Sequence, residues 1–60
     1  MLNDTIRLTA QVRHVDGGRV GTVIGHAKGA KCWLHLVETK VGQETIQLWL
    51  GRGVLVEVGA

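Results

Sequence analysis

The chain has no proline, no tyrosine and no phenylalanine, and Trp33 and Trp49 are its only two tryptophans. A single cysteine, Cys32, excludes an intrachain disulfide. It fits a reducing compartment, where a lone thiol behaves as a small hydrophobe. Long apolar runs are missing too: stretches such as Val54-Leu55-Val56 are far too short to span a bilayer, which predicts no membrane partner. Met1 to Thr5 carry neither a basic n-region nor an apolar h-region, which predicts no secretory signal and a cytoplasmic protein.

What is present is small and glycine-rich. Sixty residues leave room for one domain, 1–60. A domain this short buries only about 60% of the surface its unfolded chain exposes, so it leans on a partner, a metal or a disulfide. The net charge is +2 and the pI is near 9.2, which permits nucleic-acid binding without demanding it. The charge is lopsided. Residues 1–31 hold Arg7, Arg13, Arg19, Lys28 and Lys31 against Asp4 and Asp16, while residues 32–60 hold Lys40 and Arg52 against Glu38, Glu44 and Glu57.

The patterning predicts strands. Thr5 to Arg13 alternates, with Ile6, Leu8, Ala10 and Val12 on one face, as a half-buried strand does. Asp16-Gly17-Gly18 supplies a hairpin turn with positive φ. Arg19 to His26 is β-branched, and Gly21 inside it suggests a bulge or a sharp bend. A loop at Ala27–Ala30 leads to a third strand, Lys31 to Glu38, which is apolar on both faces and so predicts an extra covering layer. Lys40–Glu44 is a second loop. In Thr45 to Leu50, Ile46, Leu48 and Leu50 share the buried face, and Thr45, Gln47 and Trp49 the outer one. Gly51-Arg52-Gly53 turns the chain into Val54 to Val58. No stretch shows a helical period. Five short strands between glycine-rich turns predict an all-β fold, a small five-stranded SH3-like barrel.

Residues 12–25, Val-Arg-His-Val-Asp-Gly-Gly-Arg-Val-Gly-Thr-Val-Ile-Gly, resemble the strand–turn–strand opening of KOW-type barrels of ribosomal and transcription proteins. A second resemblance covers more of the chain. Val12-Arg13-His14, Gly21-Thr22-Val23-Ile24-Gly25 and Ile46-Gln47-Leu48-Trp49 follow the order of motifs in plasmid-borne type II dihydrofolate reductases, which are tetramers of small SH3-like barrels around one pore. That resemblance implies Gln47 and Trp49 as a pore pair and NADPH as cofactor. Trp49 stands where that family has tyrosine, His14 where it has the functional lysine, and Leu50 where it has proline. The tyrosine and the lysine that its chemistry uses are therefore replaced, while Gln47 is kept, and the reductase is the alternative reading.

Among individual residues, an outward Trp49 beside Gln47 is a good contact surface, because tryptophan is enriched at binding hot spots. Trp33 and His35 share a face of the third strand and extend that surface; the competing reading for Trp33 is core packing. Arg7, Arg13, Arg19, Lys28 and Lys31 are the nucleic-acid candidates. His14, His26, His35 and Cys32 do not predict a metal site, because Cys32 and His35, three apart on a strand, face opposite sides. No catalytic set stands out: no Ser-His-Asp arrangement, no paired carboxylates, no phosphate fingerprint. The expectation is a non-catalytic binding and assembly module without a cofactor. It is a homo-oligomer built on the outer faces of the third and fourth strands, and it binds nucleic acid or a host protein, as a phage or plasmid accessory protein would.

Overall fold

A computed structural model describes residues 5–58. The leader reading at residues 1–4, and the charge of Asp4, lie outside the described residues. Five strands form one antiparallel sheet: β1 (Gln11–His14), β2 (Gly21–Lys28), β3 (Trp33–Val41), β4 (Glu44–Gly51) and β5 (Leu55–Glu57). A short 3-10 turn, Arg52–Val54, joins β4 to β5. The spatial order is β4-β3-β2-β1-β5, so the chain meanders and its last strand returns to pair with its first. The sheet is all-β as the patterning predicts, but it is not closed, and β4 and β5 remain its two edges.

The segment Thr5–Arg13 is not one strand. The Ala10 amide donates to the Arg7 carbonyl at 3.2 Å, closing a turn across Leu8 and Thr9. Thr9 sits at φ 74°, an uncommon place for a β-branched residue. Two bonds to β2 fix this hook: Thr9 N–H to the Val23 carbonyl at 2.8 Å, and Val23 N–H to the Ala10 carbonyl at 3.0 Å. The hook buries Ile6 and Ala10 and turns Leu8 out, half exposed, against the face that alternation gave it.

The β1–β2 turn follows the sequence reading: Gly17 N–H bonds the His14 carbonyl at 2.9 Å, and Gly17 and Gly18 both have positive φ. The β3–β4 hairpin is tighter than the predicted loop. Val41 pairs with Glu44 across two residues, and Gly42, the first of them, has φ 65°, as a type II′ turn requires.

Gly21 is not a bulge. It lies under β3, where an added Cβ would meet Val37 Cγ1 at 2.5 Å and the Glu38 carbonyl at 2.9 Å. The bulge comes three residues later: Val23 pairs with Val37 and Gly25 with Leu36, which leaves Ile24 as the extra residue. One extra residue reverses the side-chain phase of the rest of the strand. Val23 therefore points into the core before the bulge, and His26 lies across from His35 after it.

The core consists of Ile6, Ala10, Val12, Val23, Val37 and Leu55, with Leu50 and Val54 packed on it. His35 lies among them, fully buried. No helix among the described residues is long and apolar enough to cross a membrane.

Candidate functional site

The open side of the molecule is β4. Its register on β3 fixes its two faces. Ile46 lies across from Thr39, Leu48 from Val37 and Leu50 from His35, on the concave face; Gln47 lies across from Glu38 and Trp49 from Leu36, on the convex face. The expected phase of this strand therefore holds, and Trp49 is 52% exposed. The expected burial of its aliphatic row does not hold. Ile46 is 37% and Leu48 47% exposed, because β4 and β5 do not meet and no described strand covers the row.

The gap between them is a groove of about 250 Å³. Ile46, Leu48 and Leu50 form one wall, Val37 and Leu55 contribute to its apolar lining, and Arg13 and Arg19 also border it. Aliphatic surface with a cationic border and an unpaired strand edge can hold an extended segment of another chain. Side chains enter the groove while backbone bonds form along the edge.

The four residues expected to form one contact surface separate into two pairs. Gln47 and Trp49 are exposed on the convex face, and the Gln47 amide donates to Glu38 Oε2 at 3.4 Å. Trp33 and His35 belong to the concave row of β3. His35, at 0% exposure, cannot meet a partner on the surface, which corrects its place in the expected interface. The physical reason lies in the hairpin register, which sets His35 and Val37 beside Leu50 and Leu48. Trp33 is half-buried, with its ring edge-on to His26 at 6.5 Å.

His35 has a structural task. The Ile6 amide donates to its Nε2 at 2.9 Å. The Ile6 carbonyl accepts from His26 Nε2 at 2.6 Å, and the two imidazoles meet edge to face at 5.0 Å. Accepting at Nε2 places the proton of neutral His35 on Nδ1, which is buried and makes no hydrogen bond of ordinary geometry among the described residues. Burial pushes the pKa of His35 below its ordinary value, and the neighbouring His26 and Arg52 push the same way; the Trp33 carbonyl opposes them. No local pattern announces this arrangement, since it depends on the bulge at Ile24 and the hook at 7–10.

The basic residues do not form one stripe. Arg13 and Arg19 border the groove, whereas Lys28 and Lys31 line a separate recess of about 180 Å³ together with Trp33 and Cys32, and Arg7 borders neither. Arg13 donates to the His14 carbonyl at 3.3 Å. Cys32 is an exposed free thiol. Among the described residues no three His, Cys, Asp or Glu side chains are grouped as a metal would need.

Comparison with protein-family models, with curated proteins and with solved structures finds no match. The KOW-type and reductase resemblances therefore rest on the quoted residues alone.

Proposed function

We propose that this chain is an open SH3-like barrel that works as a non-catalytic binding and assembly module, with the β4 side as its contact surface. Support for the SH3-like reading comes from the meander. Five antiparallel strands run in order, the last pairs with the first, and only the β4–β5 seam is left to close.

One observation carries the functional reading. β4 is an eight-residue edge strand with Ile46, Leu48 and Trp49 exposed on its two faces, and it contains no proline and no lysine. Edge strands are ordinarily protected by short length, charge, proline or a bulge, because their free amides and carbonyls recruit other chains. An unprotected edge beside an apolar groove is what strand addition requires. A panel of extended peptides that alternate apolar and acidic residues tests this by amide chemical shifts. Shifts centred on residues 44–51 and on the groove are expected. Binding confined to other surfaces would contradict it.

A second reading has one observation in its favour: Lys28 and Lys31 flank Trp33 in a shared recess, which pairs phosphate-binding charge with a stacking surface. Oligonucleotide binding that weakens steeply with salt and is lost in Lys28→Ala/Lys31→Ala would support it. No binding at low salt would remove it.

A further inference from the structure

We propose that His35 is a proton-operated latch: when its Nε2 takes up a proton from solvent, the hook at residues 5–10 detaches from the sheet while the five strands stay paired. The latch works whatever β4 binds. Near its start the hook is held by imidazoles: the Ile6 amide donates to His35 Nε2 at 2.9 Å, and the Ile6 carbonyl meets His26 Nε2 at 2.6 Å. At its end it is held by backbone, through Thr9 N–H and the Ala10 carbonyl on Val23. Beyond the hook the chain is secured independently. Gln11 and Val12 pair with β2, Val12 to His14 pair with β5, and the Val58 amide donates to the Gln11 carbonyl at 2.9 Å. An opening that starts at Ile6 therefore has a natural end at Gln11.

The two imidazoles respond to acid differently. A carbonyl only accepts, so His26 presents N–H at Nε2, and a second proton on its Nδ1 leaves that bond in place. A backbone amide only donates, so His35 accepts at Nε2. A proton there turns the acceptor into a donor. Two N–H groups then face each other at a ring with no exposure, and a cation is left without water. The charged groups that act on this ring are His26 of β2 and Arg52 of the turn after β4, and both oppose a positive charge; the Trp33 carbonyl favours it. β4 sets Leu50 across from His35, and β1 and β5 bring Val12 and Leu55 to the same core, which offers no compensating carboxylate. Release of the hook lets water reach the ring without breaking a strand pair. It also relieves Thr9, held at φ 74° only within the hook.

Amide exchange of the full chain, divided by the free-chain rate at each pH, reads the latch. Protection at Ile6, Thr9 and Val23 should fall roughly tenfold or more from about pH 7.5 to about pH 5, while the β3–β4 hairpin keeps its own. The ring-nitrogen shifts of His35 should titrate with the same midpoint. His35→Gln, an acceptor that does not titrate, should keep the hook closed in acid. His26→Gln, which keeps a donor for the Ile6 carbonyl, should still open. Protection lost across all five strands at one pH would overturn the latch in favour of global unfolding. A hook that stays protected while His35 is charged, or that opens equally in His35→Gln, would overturn it as well. So would a His35 that remains neutral down to the pH at which the whole sheet unfolds. Where His35→Gln does not fold, the match or mismatch of the two midpoints in the native chain decides.

Discussion

Ile6 and His35 are joined across 29 positions of sequence by one buried hydrogen bond, from the Ile6 amide to the imidazole Nε2 at 2.9 Å. This bond pins the N-terminal hook to the middle of the sheet, and it exists only while Nε2 is unprotonated. The second imidazole, His26, holds the Ile6 carbonyl, so both polar groups of one backbone residue are satisfied inside the fold by side chains of β2 and β3.

A pH dependence follows. The folded pKa of His35 lies below the unfolded one, chiefly through burial. Above the unfolded value, near 6.5, both states are neutral and the full stability is present. Below it the unfolded chain takes up a proton that the folded chain refuses, so stability falls as pH drops from that value toward the folded pKa. Urea midpoints should decline between pH 7.5 and pH 5. His35→Gln, which keeps an acceptor and does not titrate, should decline less.

Thr9 stands at positive φ, which costs a β-branched residue about 1–2 kcal/mol relative to glycine's freedom there. Thr9→Gly should therefore raise stability by about 0.5–1 kcal/mol after glycine's own entropy cost. Chemical denaturation reads this directly, and a loss of stability would show that the Thr9 side chain contributes more than its backbone strain costs.

Gly21 lies against Val37 and the Glu38 backbone, too close for a Cβ. Gly21→Ala should destabilise by about 1–3 kcal/mol, as overpacking does. Gly53→Ala, with open space around the added carbon, serves as the control and should stay within about 0.5 kcal/mol.

Leucines on the concave face should not be equivalent. Leu55, at 4% exposure, belongs to the core, and Leu55→Ala should cost about 2–5 kcal/mol. Leu48 is 47% exposed in the single chain, so Leu48→Ala at low protein concentration should cost about 1 kcal/mol, with a larger effect where the chain associates.

Strand number and turn positions were legible in the sequence because they rest on short-range chemistry: the alternation of Thr45–Leu50, and the glycines at 17, 18 and 42 with their positive φ. The face carried by each residue of β4 was legible for the same reason. Its burial was not, since burial of Ile46 and Leu48 depends on whether β4 meets β5, a contact between segments far apart in the chain. The hook at Arg7–Ala10 was hidden because Ile6, Leu8, Ala10 and Val12 alternate as a strand would. The place of His35 was hidden by a strand apolar on both faces, where periodicity cannot tell inside from outside. The bulge at Ile24, which brings His26 to His35, left no residue signature; the glycine that suggested a bulge, Gly21, instead serves close packing.

Amide hydrogen exchange along residues 44–51, followed from dilute to concentrated protein, tests the role of β4 most directly. Outward-facing amides of this strand should exchange near the free-chain rate when dilute and slow by at least tenfold as the chain associates, while β5, the opposite edge, stays unchanged. Exchange that stays fast along β4 in an associated sample, or protection that builds on β5 instead, would contradict the assignment of β4 as the contact surface.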